Sequence, residues 1–226
     1  MSERVEQNGQ PEDEVPRIAV LGGTGDQGQG LALRFAAAGL AVVIGSRDES
    51  RAAEIAAALG SGIRGAANAD AAAQADIVIV AVPWAAHAVT LTGLRDALAG
   101  KLVVDCVNPL GFDAQGPYAL DVPEGSACQQ AAELLPDSRV VGAFHHVSAV
   151  LLKDLGQSSV DTDVLVVGDD RADVDRVIAL AQRIAGVRGV FAGRLRNAGQ
   201  VEALTANLIA VNRRYKAHAG LRITDV

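Results

Sequence analysis

The sequence predicts an α/β protein built on a doubly wound parallel sheet, and three observations carry that expectation. Short apolar runs recur along the chain, at Ile18 to Leu21, Ala41 to Ile44, Asp76 to Val82 and Lys101 to Cys106, each of a length suited to a strand buried on both faces. Helix-forming stretches separate these runs, an alternation that implies right-handed crossovers between parallel strands. Half of the residues are hydrophobic and only 3% are aromatic, with alanine and glycine abundant, which is the composition of closely packed helix-on-sheet layers.

The first strand runs into Gly23-Thr24-Gly25-Asp26-Gln27-Gly28, a G-x-G-x-x-G pattern. Gly23 is expected to permit the tight turn off the strand and Gly25 to let the backbone approach a pyrophosphate. Gly28 would let the following helix pack on the sheet, and that helix presents its free N–H groups to the anion. Leu31 to Ala36 is a good helix former, and Gly39 supplies the C-terminal stop.

The second strand, Ala41 to Ile44, ends in Gly45-Ser46-Arg47, with Arg51 one helical turn further on. A site selective for NAD places a carboxylate about 20 residues beyond the glycines to accept from the ribose 2′-hydroxyl. Here that position is neutral and followed by cations. A guanidinium grips a phosphate with two parallel bonds and a serine hydroxyl donates to it, so the pattern predicts NADP(H).

A helix from about 48 to 59 and a weak strand at Ile63-Arg64 come next, then the strand Asp76 to Val82, which ends in Pro83-Trp84. A helix from about 86 to 98 stops at Gly100. The strand Lys101 to Cys106 ends in Val107-Asn108-Pro109. Ligands on open α/β sheets bind beyond the carboxyl ends of the strands, so Val82, Pro83, Trp84 and Val107-Asn108-Pro109 are expected in the cofactor cleft. Residues 111 to 125, rich in Gly, Pro and Asp, read as a loop. A helix from about 126 to 135 and a sixth strand, Arg139 to Ala143, lead directly into His145 and His146. One more strand, helix, strand unit follows, over Asp163 to Gly168, about 171 to 185 and Gly189 to Gly193. A last helix, from about 197 to 215, carries Val201, Leu204, Leu208, Val211 and Tyr215 on one apolar face.

This organisation divides into an acidic tail over residues 1–15, expected to be disordered, a nucleotide-binding Rossmann domain over 16–145, and residues 146–226. The last part is expected to be a small C-terminal α/β lobe ending in a long helix, or an extension of the same sheet. Five acids against one base in the first sixteen residues contribute −4 of the net charge of −7. An acidic chain is a poor match to nucleic acid or to an anionic membrane. No apolar run reaches bilayer length and the start lacks the pattern of a signal peptide, so a cytoplasmic location is expected. Cys106 and Cys128 belong to no paired motif and read as small buried hydrophobes, with no metal site expected.

Gly22-Gly23-Thr24-Gly25, Gly30-Leu31-Ala32-Leu33-Arg34, Gly45-Ser46-Arg47, Pro83-Trp84 and Val201-Glu202-Ala203-Leu204-Thr205, in this order, resemble the NADPH-dependent coenzyme F-420 reductases over roughly residues 17 to 213. The resemblance implies a homodimeric enzyme that passes a hydride between NADP(H) and an 8-hydroxy-5-deazaflavin, coenzyme F-420. It also implies Thr24, Ser46, Arg47 and Arg51 around the 2′-phosphate, and the deazaflavin near Pro83, Trp84 and His145-His146-Val147-Ser148. One departure is that His146-Val147-Ser148 stands where archaeal members carry a short apolar stretch containing proline. Direct hydride transfer needs stacked rings and excluded water, not a nucleophile or a metal. His145 is the candidate catalytic residue, as a hydrogen-bond partner that steadies charge on the reduced ring; the alternative is a strand-end histidine bonded to backbone. His87 and His218 carry no assigned role. Arg188, Arg194, Arg196, Arg213, Arg214 and Lys216 could form a basic rim for an acidic coenzyme tail, or an ordinary charged surface. A reductase of a small imine, ketone or flavin, with Lys153 as the nearest proton donor, and an NADP-sensing module without chemistry remain as alternatives.

Overall fold

The computed structural model describes residues 15–226, so the expected acidic tail, except for its last residue, falls outside the described residues. The nucleotide-binding half follows the predicted alternation: β1 (Ile18–Leu21), α1 (Asp26–Ala37), β2 (Val42–Ser46), α2 (Glu49–Leu59), β3 (Arg64–Ala67), α3 (Asn68–Ala73), β4 (Ile77–Val80), α4 (Trp84–Gly93), α5 (Arg95–Leu98) and β5 (Leu102–Asp105). A hairpin of β6 (Leu110–Asp113) and β7 (Gly116–Ala119) precedes α6 (Ala127–Leu134) and β8 (Arg139–Gly142). The chain continues through α7 (Ala149–Lys153), β9 (Thr162–Gly168), α8 (Arg171–Ala181) and β10 (Val187–Phe191), and ends in α9 (Ala198–Tyr215).

One eight-stranded sheet, ordered β10-β9-β8-β5-β4-β1-β2-β3, holds everything but the hairpin. All neighbours are parallel except β8 and β9, where Val141 pairs with Gly168 and Gly142 with Val167 in antiparallel register. The final strand, helix, strand unit therefore extends the first sheet and does not build a second one. Strand alternation divides the core into two layers. Ile18, Val20 and Ile44 face α1, α2 and α8, while Ala19, Leu21 and Val43 face α3, α4 and α6.

The structure corrects the sequence reading at several points. Residues 111 to 125 are not simply a loop, because Leu110 to Ala119 closes into the β6–β7 hairpin. The helix expected over 86 to 98 starts at Trp84 and breaks at Leu94, giving α4 and α5. The short α3 was not anticipated. The apolar stripe of α9 is buried at Val201 and Leu208 but runs past the core, leaving Val211 and Tyr215 in solvent, at 37% and 72% exposure.

Two ties dock α7 onto α1. A side chain at Gly30 would place its Cβ 2.6 Å from Leu152 Cβ, so glycine is what allows the two helices to touch. Arg34 then reaches across, buried, and donates to four carbonyls at the end of α7: Leu151 and Asp154 at 2.7 Å, Gln157 at 2.9 Å and Leu152 at 3.0 Å. The Leu151 and Leu152 carbonyls are among the acceptors that the end of a helix leaves open, and a cation is favoured there.

Candidate active site

Two adjoining chambers open at the carboxyl ends of β1, β2, β4 and β5, where the doubly wound topology predicts a ligand cleft. The first, of about 590 Å³, is lined by Thr24, Gly25, Asp26 and Gln27 at the start of α1, by Ser46, Arg47 and Arg51 beyond β2, and by Val82 and Pro83 beyond β4. The second, of about 470 Å³, is lined by Val82, Pro83 and Trp84, by Asn108 beyond β5, by His145 and Val147, and by Thr205, Leu208 and Asn212 of α9. Gln27, Val82 and Pro83 border both, so the chambers meet along those side chains.

The glycines divide their work differently from the sequence expectation. Gly22, at φ +75°, takes the left-handed turn off β1, the role the sequence pattern assigns to Gly23. Gly23 and Gly28 serve close packing: a Cβ on Gly23 would meet Ile44 Cβ at 2.5 Å, and one on Gly28 would meet the Gly22 carbonyl at 2.7 Å. Neither lines the first chamber. Gly25 does, and a Cβ there would find no protein atom closer than 3.5 Å, which leaves its open side free for a ligand.

The chamber also has the donors an anion needs. The first N–H groups of α1 have no intrahelical acceptor and carry the positive end of the helix dipole. Arg47 and Arg51 are exposed, and neither guanidinium forms an ion pair or a side-chain hydrogen bond with another described residue. The Ser46 hydroxyl oxygen accepts from the Asp48 amide at 3.2 Å, so its own proton is available. Asp48 caps α2 by accepting from the Arg51 amide at 3.1 Å, which fixes Arg51 at the chamber wall. Asp26 would oppose a phosphate, but Lys153 Nζ lies 2.7 Å from its carboxylate and offsets the charge.

In the second chamber the chain reverses at Phe144, a non-glycine residue at φ +63°. Its ring is buried edge-on against Phe35 at 5.9 Å, and its carbonyl accepts from Gln27 Nε2 at 3.1 Å. The His145 carbonyl is fixed by Asn108 Nδ2 at 2.7 Å and by the Thr205 hydroxyl at 3.1 Å. Its ring is buried, with Nε2 3.7 Å from Cys128 Sγ. Nδ1 lacks a partner of hydrogen-bonding geometry among the described residues. His146 Nε2 accepts from the Leu165 amide at 3.3 Å, which is a structural role.

A buried polar knot underlies this wall. Cys128 Sγ, His145 Nε2 and a Glu202 oxygen lie within 4.8 Å of one another. Both Glu202 oxygens are already engaged, accepting from the Ala127 amide at 2.9 Å and the Cys128 amide at 3.1 Å. His87 and Asp105 form a second buried pair at 2.7 Å, with Gln130 on the other ring nitrogen at 2.8 Å. The sequence reading missed this pair, yet an aspartate closing the apolar run Leu102-Val103-Val104 was a signal, since a buried carboxylate needs a partner.

Burial pushes the rings of His145 and His146 down to about 4. The unfolded chain binds these protons near 6.5 and the folded chain does not, so stability is lost as pH falls from 6.5 toward 4. His87 moves the other way: burial alone would lower it, but Asp105 and Gln130 together outweigh burial and raise it, so its contribution fades as pH rises above 6.5. We expect the denaturation midpoint to fall steadily over that acid range, with His146→Gln reducing the slope by about one proton. An unchanged slope in the variant would contradict this assignment.

Among the remaining expectations, Arg188 is not available as a rim cation, because Asp163 holds it at 2.7 and 3.0 Å. Arg194 lines a separate cavity with Phe191. Arg213, Arg214 and Lys216 are exposed and follow Asn212, which lines the second chamber, though none of the three lines it. Asn68 and Thr90 in the first chamber, and Leu110, Phe112 and Ala219 in the second, were not anticipated.

Residues 17–109 match the protein family described as NADP oxidoreductase, coenzyme F420-dependent. The F420-dependent NADP reductase of Methanothermobacter thermautotrophicus is 42% identical over 224 residues, covering 94% of this chain and 96% of that protein. Its counterpart in Methanocaldococcus jannaschii is 38% identical over 222 residues, covering 93% and 99%. Among solved structures, an Arthrobacter sp. FB24 protein provisionally described as an F420 dependent NADP-reductase is 29% identical, with a TM-score of 0.81 over 92% of this chain and 99% of that one.

Proposed function

This chain belongs to the family of F420-dependent NADP reductases, and from that premise we infer that it transfers a hydride directly between NADP(H) and the deazaflavin coenzyme F-420. The observation that carries the reading is the meeting of an anion-binding chamber and a ring-sized chamber along Gln27, Val82 and Pro83. The bound coenzymes supply the hydride chemistry, and the protein supplies orientation and a dry cleft.

The free amides of α1 with Thr24, Gly25, Asp26 and Gln27 are suited to the pyrophosphate, and Ser46, Arg47 and Arg51 to the 2′-phosphate. Val82, Pro83, Trp84, Asn108 and Val147 wall the ring chamber. His145 is uncharged at pH 7, since burial holds its ring near 4. It therefore brings no full positive charge to the chamber, and with Nδ1 buried and Nε2 beside Cys128 Sγ its contribution is the shape of the wall. Residues 146–226 complete the deazaflavin side of the cleft through α9. They also supply the dimer contact: Val211 and Tyr215 stand exposed four residues apart on one face of α9, so a second copy of the chain is the expected partner. We place the enzyme in the cytoplasm, consistent with two free, buried cysteines.

Mixing the protein with NADPH and oxidised deazaflavin should bleach the deazaflavin's visible absorbance, and light scattering should give twice the chain mass. Absence of bleaching would overturn the reading. Bleaching of an ordinary flavin alone would favour the reductase alternative, for which Lys153 is poorly placed, being paired with Asp26 and outside both chambers. NADPH binding with no acceptor reduced would favour the sensing module.

A further inference from the structure

The β6–β7 hairpin has two distinct faces. Leu110 pairs with Ala119 and Phe112 with Pro117, whereas Gly111 pairs with Tyr118, so alternation places Leu110 and Phe112 together on one side. That side is turned to the ring chamber, which both residues line. On the other side the Tyr118 ring occupies the room a side chain at position 111 would need, since a Cβ there would lie 2.4 Å from Tyr118 Cζ. The hairpin is backed by α9, against which β7 packs, and α9 sends Thr205, Leu208 and Asn212 into the same chamber. The hairpin is thus a braced wall of the chamber.

On this wall Phe112 is anomalous. It lines a chamber of about 470 Å³ and yet remains 61% exposed. A large aromatic ring left half in water at the rim of a cavity, on a supported strand, is apolar surface awaiting a flat partner. Pro83 and Trp84 line the same chamber from the end of β4 and the start of α4, so a planar ring system entering it would meet apolar groups from two separate elements.

We propose that Phe112 is a substrate-contacting residue whose ring lies against the tricyclic ring system of the deazaflavin and seals the outer end of the chamber from water. This rests on the reading of coenzyme F-420 as the hydride partner. The contact belongs to the hairpin and lies outside the dinucleotide chamber, which Phe112 does not line. It therefore governs affinity for the deazaflavin and leaves NADPH binding alone.

The test is equilibrium binding of oxidised deazaflavin in the presence of NADP+, read by quenching of Trp84, the chain's single tryptophan. Phe112→Ala should weaken deazaflavin binding about tenfold, the loss of roughly one stacking contact. Phe112→Tyr should stay close to wild type, and in both variants the NADPH dissociation constant and the mass in solution should be unchanged. Deazaflavin affinity unaffected in Phe112→Ala would overturn the proposal, and so would a parallel loss of NADPH affinity, which signals general damage. A changed mass would also overturn it, by assigning Phe112 to the contact between copies. Failure of the wild-type protein to bind deazaflavin at all would instead remove the functional reading on which the proposal stands.

Discussion

Replacing Arg47 with Glu should raise the Michaelis constant for NADPH by roughly two to three orders of magnitude while changing that for NADH only a few-fold. Arg47 stands in solvent at the end of β2 and shares the first chamber with Ser46 and Arg51. Two charge-assisted bonds to a phosphate would be lost, and a carboxylate would be set against the same anion. Each such bond contributes about 1.5–3 kcal/mol. NADH lacks the 2′-phosphate and so reports everything else the substitution does to the cleft. Steady-state kinetics with both dinucleotides separate the two effects, and a parallel change would mean that Arg47 does not read the phosphate.

The largest effect on stability should come from Arg34→Leu. The substitution keeps an apolar stem in the α1–α7 contact and removes the donors for four carbonyls, on Leu151, Leu152, Asp154 and Gln157. Unsatisfied buried acceptors cost about 1–3 kcal/mol each, and partial rehydration from the exposed side of α7 reduces the sum, so a loss of about 3–5 kcal/mol is expected. For a chain of this size that lowers Tm by roughly 10 °C. Arg34→Lys should recover only part of it, because one ammonium cannot span four carbonyls in the way a planar guanidinium does. A calorimetric Tm within 2 °C or so of wild type would show that α7 is held by other contacts.

The sheet was legible because its strands are buried on both faces and therefore appear as unbroken apolar runs, which few other arrangements produce. The first chamber was legible for a related reason: phosphate recognition depends on glycines, a helix start and cations at fixed offsets, all local in sequence. The second chamber is assembled from Pro83, Asn108, His145 and Thr205, whose contacts are long-range, and only those at strand ends carried a local signal. The reversal at Phe144 had none, since a phenylalanine gives no hint of a left-handed backbone. In the hairpin, Gly111 and Pro117 interrupt the alternation that marks a strand, so both strands were absorbed into a stretch, residues 111 to 125, that reads as a loop. The six residues of α3 were too few to show a helical period.

The antiparallel step from β8 to β9 has an electrostatic consequence. β9 and β10 run against the rest of the sheet, and beyond them α9 sends Leu208, Ile209 and Asn212, all in its C-terminal half, to the wall of the second chamber. The first chamber is thus bounded by the amino end of α1, equivalent to about half a unit of positive charge, and the second is flanked by the last turns of α9, toward that helix's negative end. Arg213 and Arg214 in the last turn of α9 partly offset the negative end. Chain direction alone therefore gives the cleft a polarity, and two anionic coenzymes entering it do not meet equivalent halves.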